Sequence, residues 1–146
     1  MKNKKNNTDS TNKNKKVEEP MVAYSTPKVF ALPTYFSFQH FQKVAEKTDF
    51  TQKEWADILH ISERTLQRYA KDNTQFNFSI SDRIAQIDKV IERGKEVFGS
   101  YDKFLSWLRD NPFMMEDRLS LQSLASIYGT HNILTQLGRI QHGLFA

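Results

Sequence analysis

At 146 residues the chain has room for one compact domain, or for two small helical subdomains on a shared core, and little for a large catalytic cleft. Its hydrophobic fraction of 38% and charged fraction of 26% are ordinary for a water-soluble protein, no apolar run approaches the roughly 20 residues of a membrane helix, and the absence of Cys excludes a disulfide framework. The formal net charge of +4 sits unevenly: residues 1–35 hold seven Lys against Asp9, Glu18 and Glu19, whereas 14 basic residues from Phe36 onward meet 14 acidic ones. The basicity belongs to the tail, so any nucleic-acid role of the body has to come from motifs.

The opening stretch, MKNKKNNTDSTNKNKK, carries no apolar residue and is read as a disordered basic tail over 1–20, serving either solubility or contact with phosphates. It has no apolar core of a secretory signal, which points to a cytoplasmic location. Residues 21–36, punctuated by Pro27 and Pro33, read as an extended, aromatic-rich segment.

Helical periodicity begins at Ser37, with Phe38, Phe41, Val44 and Ala45 on one face. Thr51-Gln52-Lys53-Glu54 has the spacing of a capping box, followed by the stripe Trp55, Ile58, Leu59. After a turn at His60-Ile61, Ser62 is the natural N-cap of a third helix with Leu66, Tyr69 and Ala70 inward, stopped by Asp72-Asn73-Thr74. A long helix is predicted from about Ser81 to Phe98, carrying Ile84, Ile87, Val90, Ile91 and Val97 and closed by Gly99. Another runs from Tyr101 to Arg109 and ends at Asn111-Pro112. A short helix near Leu121–Ser126 and a longer one from Thr130 to His142 complete an all-α pattern with no assigned strand. The organisation is a helix-turn-helix module at 37–80 packed with a C-terminal helical module at 81–146.

Over TQKEWADILHISERTLQRY the sequence resembles the Xre/Cro helix-turn-helix family. The resemblance implies that Gln52 meets a phosphate and that Glu63, Arg64, Gln67 and Arg68 project toward base edges, with short contacts from Ser62 and Thr65. The residue types suit those roles, because Arg grips guanine, Gln reads adenine and Glu accepts from cytosine. A capped amphipathic helix pair with solvated charges is the plainer reading. The module's balance of six basic and six acidic residues between Phe36 and Asp72 argues for weak binding by a monomer.

Further on, SDRIAQIDKVIERGKEVFG, KFLSWLRDNP, LSLQSLASIYG and ILTQLGRIQHGLFA follow in the order of the Xre/MbcA/ParS-type antitoxins, the antitoxins of RES-Xre type II toxin-antitoxin pairs. This resemblance covers about residues 36–146. It implies a RES-domain, NAD-consuming toxin as partner, operator DNA as a second ligand, a homodimer, and a C-terminal end that occludes the toxin's NAD site. The toxin-binding residues it implies are Arg139, Ile140, His142, Gly143, Leu144, Phe145 and Ala146. On their own chemistry, Ile133, Leu137 and Ile140 form a helix stripe, Gly138 permits close packing with a neighbour, and Gly143 ends the helix. Leu144 and Phe145 then either project as an apolar anchor or fold back on the chain's own core. The stretch Ser120-Leu121-Gln122-Ser123-Leu124, Ser126 and Gln141 depart from the family's usual residues, which bears on partner specificity.

His40, His60, His131 and His142 are scattered without ligand spacing, and no phosphate loop, Cys nucleophile or Ser/His/Asp signature occurs. Neither metal, cofactor nor catalysis is expected. A stand-alone helix-turn-helix regulator without a toxin, and an interaction module that has lost DNA binding, are the competing readings.

Overall fold

The computed structural model describes residues 35–114 and 117–144; the expectations for the basic tail, for residues 21–34 and for Phe145 and Ala146 lie outside that range. Six α-helices carry the fold. In chain order they are α1 (Phe38–Ala45), α2 (Gln52–Leu59), α3 (Glu63–Asp72), α4 (Phe78–Phe98), α5 (Tyr101–Arg109) and α6 (Ile127–Gln141), with a 3-10 helix at Leu121–Ala125 before α6. Between α5 and the 3-10 helix, β1 (Phe113–Met114) and β2 (Asp117–Arg118) pair antiparallel, Phe113 opposite Arg118. The architecture is all-α, and this two-residue hairpin is an addition that the sequence pattern did not indicate.

Each helix starts on a polar cap whose side chain takes one of the N–H groups that the first turn leaves unpaired. Ser37, Thr51, Ser62, Asn77, Ser100 and Ser126 all do this. Two helices begin earlier than their apolar pattern. α4 opens at Phe78 rather than near Ser81, because Asn77 Oδ1 accepts the Ile80 N–H at 2.9 Å. α6 opens at Ile127 rather than at Thr130, because Ser126 Oγ accepts the Gly129 N–H at 2.9 Å. Gly99, at φ 85°, closes α4 in the left-handed region where glycine is unstrained.

One apolar cluster runs through the whole described body. Phe41, Val44, Trp55, Ile58, Leu59 and Leu66 from α1–α3 join Ile84, Ile87, Val90 and Ile91 of α4, Phe104, Leu105 and Leu108 of α5, and Ile133 and Leu137 of α6. Removing a Leu, Ile or Phe side chain of this kind from water contributes about 1.5–3 kcal/mol. α4 supplies the spine, packing against α1, α2, α5 and α6. Its N-terminal end is also stitched to the chain just before α1. Ser81 Oγ, fully buried, accepts the Phe36 N–H at 2.9 Å, and Phe36 C=O accepts the Phe76 N–H at 2.9 Å.

Two details differ from the pattern-based reading. Ala70, expected inward, is exposed, because α3 buries only Leu66 and rests Tyr69 on the Phe76 ring at 4.5 Å. Gly138 has open space where a Cβ would stand, so no other described element packs close against it. The close approach is instead at Gly94 in α4, where an added Cβ would drive into the Phe104 ring of α5. Gly94→Ala should therefore destabilise the protein by about 2–3 kcal/mol through overpacking, read as a lower midpoint in denaturant unfolding, whereas Gly138→Ala should be neutral or slightly stabilising.

Candidate functional site

The chain enters α2 through a complete capping box. Glu54 N–H donates to Thr51 Oγ1 at 3.1 Å, and Thr51 N–H donates back to Glu54 Oε2 at 2.7 Å. Gln52, the first helical residue, stands exposed at this end, where free N–H groups and the positive end of the helix dipole favour an anion. Trp55, Ala56, Ile58 and Leu59 bury the other side.

α2 stops at His60, a non-glycine residue in the left-handed region (φ 56°, ψ 39°), and Ile61 N–H bonds back to Ala56 C=O at 3.0 Å. That backbone costs an L-residue roughly 1–2 kcal/mol. Its imidazole offsets part of this by donating Nε2–H to the Ala125 carbonyl at 2.6 Å, at the end of the 3-10 helix. The sequence marked His60 only as a turn residue. Its role shows only once residues 60 and 125 are in contact.

α3 begins at Ser62, whose Oγ accepts the Thr65 N–H at 3.0 Å and lies 2.8 Å from Thr65 Oγ1. These two hydroxyls therefore first serve the cap. Leu66 anchors one side of α3, while Glu63, Arg64, Gln67 and Arg68 are exposed on the other. Arg64, Thr65, Gln67, Arg68 and Lys71 line one shallow depression of about 290 Å³. Gln52, Gln67 and Lys71 also border an apolar groove of about 660 Å³ between α1, α2 and α3, so the phosphate candidate on α2 and the base-reading candidates on α3 share a side of the molecule. Lys71 was not among the residues singled out from sequence, although its positions four after Gln67 and three after Arg68 put it on that face. Arg64, Arg68 and Lys71 pair with no carboxylate among the described residues.

The charges nearby are shared across the two modules. Lys47, after α1, donates to Asp88 of α4 at 2.7 Å and lies 2.7 Å from Glu92, which also accepts from the Tyr101 hydroxyl at 2.7 Å. Burial works against the Lys47 charge, but those two carboxylates outweigh it and raise its pKa. Arg109, ending α5, reaches Glu54 at 2.9 Å and Asp49 at 3.1 Å.

Near the C-terminus, α6 buries Ile133 and Leu137, while Arg139 and Ile140 are half-buried and His142 and Gly143 exposed. The helix closes with Gly143 at φ 69°, its N–H on Ile140 C=O at 3.1 Å and the Leu144 N–H on Arg139 C=O at 2.8 Å. This turn carries Leu144 away from the core: it is 62% exposed. Gln141 is held by an Arg93 hydrogen bond from α4, a contact across 48 residues that periodicity does not reveal. Of the toxin-binding candidates, Arg139 to Leu144 thus run along one helix end. They lie on a different element from the α2–α3 face.

Two short helices joined by a tight turn, the second anchored by one residue and open along its far side, define a helix-turn-helix. Residues 36–87 match the family model of the antitoxin Xre-like helix-turn-helix domain. That match ends inside α4 and covers less than half of the chain. Over it, the protein is similar to the Xre-like helix-turn-helix domain of antitoxins, which supports an antitoxin or DNA-binding regulator as its general class. No curated protein matches the chain. Among the described residues, no group of His, Asp and Glu has the geometry to hold a metal ion, and no helix is long and apolar enough to cross a membrane.

The ion pairs make a pH signature. The hydrogen bond from Arg109 holds the Glu54 carboxyl below its ordinary value, and the bond from Lys47 does the same for Glu92. A carboxyl depressed in the fold contributes stability above its ordinary pKa and loses it as pH falls through the depressed value. The melting temperature should therefore drop as pH is lowered from 5 toward about 3. The difference between wild type and Glu54→Gln should shrink over the same window, and a constant difference would assign the stability of this corner to other contacts.

Proposed function

We propose that the protein is the antitoxin of a type II toxin-antitoxin pair, acting in the cytoplasm, that binds operator DNA through α3 and neutralises a RES-domain, NAD-degrading toxin with its C-terminal end. The observation that carries this reading is the match of residues 36–87 to an antitoxin helix-turn-helix domain. The α3 face supports the DNA half. With α3 in the major groove, Arg64 and Arg68 address guanine, Gln67 addresses adenine, Glu63 accepts from cytosine, and Gln52 bonds a phosphate beside the groove. Ser62 and Thr65 fix the first turn of α3 and lend their remaining hydroxyl capacity to nearby phosphates. A homodimer would present two such helices to half-sites one helical turn apart, about 34 Å, and double the cationic surface that a single copy offers.

The toxin-binding half is supported by the end of α6. An apolar side chain held 62% exposed by its own helix-ending turn is costly to leave in water and well suited to a pocket in a partner. Its exposure disfavours the alternative in which Leu144 folds back on the core. Leu144, followed in sequence by Phe145 and Ala146, is the anchor; Gly143 makes the turn; Ile140 and His142 flank it; Arg139 supplies the cation for a toxin carboxylate. In this reading residues 81–146 are the toxin-binding module and 37–80 the DNA-binding one. Inhibition is steric: a filled NAD site cannot take NAD.

Two variants separate the halves. Arg64→Ala with Arg68→Ala should lose operator-selective binding in a salt-controlled mobility shift, weakening it by about 2–6 kcal/mol for two base contacts, while still rescuing cells from the toxin encoded beside it. Deleting residues 143–146 should do the reverse, abolishing rescue with helical content and DNA binding intact. Full rescue by the shortened chain overturns the plug. A chain that binds its operator and has no toxic neighbour is instead a stand-alone regulator.

A further inference from the structure

Arg109 lies at the end of α5, 55 residues from Glu54, yet its guanidinium is committed to the start of the helix-turn-helix. One terminal nitrogen donates to Glu54 Oε1 at 2.9 Å, and the other to Asp49 Oδ1 at 3.1 Å and Glu54 Oε2 at 3.3 Å. The group also lies over the Phe50 ring, 5.8 Å from its centre. Asp49 and Glu54 bracket the first turn of α2, where Gln52 stands exposed with the positive end of the helix dipole. An arriving phosphate meets both carboxylates at that turn. Glu54 is ionised at neutral pH, as an ordinary carboxylate is, and the Arg109 bond lowers its pKa further, so its charge has to be compensated rather than titrated away.

We propose that Arg109 is a positioning residue for nucleic-acid binding, holding Asp49 and Glu54 from the back module and offsetting part of their negative charge so that the N-terminal end of α2 can approach a backbone phosphate. The inference rests on the DNA-binding reading above. It also changes the charge count of the module. Between Phe36 and Asp72 the six acidic residues equal the six basic ones in sequence. In the fold, two of the acidic residues are taken by Arg109, and they are the two beside the phosphate candidate. Lys47, which is given up to Asp88 and Glu92 in exchange, belongs to the turn between α1 and α2 and has no part in the α3 face.

The test is a salt series of duplex binding by fluorescence anisotropy, with a mixed-sequence labelled duplex as probe and circular dichroism to monitor folding. Arg109→Gln should weaken binding roughly tenfold at low salt, with the loss fading as ionic strength screens it. Adding Asp49→Asn and Glu54→Gln to that variant should restore binding to within about twofold of wild type, because glutamine preserves the capping box while the repelling charges are gone. A purely structural clamp would not be restored by removing its other half. If Arg109→Gln does not fold, Asp49→Asn with Glu54→Gln in the otherwise native chain should bind tighter than wild type. A folded Arg109→Gln that binds as wild type, a triple variant no better than the single one, or a double variant no tighter than wild type overturns the inference. A wild type that binds no duplex at any salt overturns the DNA reading itself, and this inference with it.

Discussion

α4 has to bury one face along its whole length for anything else in the molecule to be where it is. Ile84, Ile87, Val90 and Ile91 have no exposed surface, and the elements that cover them come from both ends of the chain, α1 and α2 from one side and α5 and α6 from the other. A helix of 21 residues with such an apolar face is unstable in water by itself, since its stability comes from packing rather than propensity. The two modules are therefore not independent bodies joined by a linker. The helix that closes the helix-turn-helix is the one on which the C-terminal helices are built.

That shared spine explains how α3 can offer so much of itself to solvent. A helix with a single buried residue, Leu66, is weakly held by apolar burial. Its position is secured instead by short-range devices: the Ser62 cap, the left-handed turn at His60, and the stack of Tyr69 on Phe76. Phe76 in turn is locked through its N–H to Phe36, which is tied to Ser81 on α4. On the side of α3 facing away from this anchorage, Glu63, Arg64, Gln67 and Arg68 stand exposed and make no side-chain hydrogen bond or ion pair with other described residues.

Much of this was legible in sequence where the cause is local. The capping box at Thr51 and Glu54, the cap at Ser62 and the glycine stop at Gly99 depend on residues within four positions of one another, and the structure has them as the spacing implies. The late starts read for α4 and α6 have one reason. Phe78, Ile127 and Tyr128 sit in first turns that face water, so the alternation of buried and exposed positions begins only at Ile80–Ser81 and at Gly129–Thr130. Capping sets where a helix begins, and burial sets where its pattern becomes visible. The exposed Ala70 follows from the same distinction, since α3 lies against the core at one residue and has no stripe for a second inward position to join. The long-range contacts, Lys47 to Asp88 and Glu54 to Arg109 between the modules and Arg93 to Gln141 within the C-terminal one, span 41 to 55 residues, and no periodicity encodes them.

The His60 turn shows how such long-range ties shape the candidate site. A left-handed residue between two helices is ordinarily the place for glycine, which adopts that backbone without strain. Histidine there is a conflict between local preference and fold, and the compensating gain lies 65 residues away, in the hydrogen bond to Ala125 C=O. Ala125 ends the 3-10 helix, and the next residue, Ser126, caps α6. The turn that aims α3 is thus fastened to the segment that starts α6. Arg109 fastens the beginning of α2 to the end of α5 in the same manner, so both ends of α2 are set by the back of the chain. A helix-turn-helix whose angle is fixed from outside needs little core of its own, which accounts for how few apolar residues α3 contains.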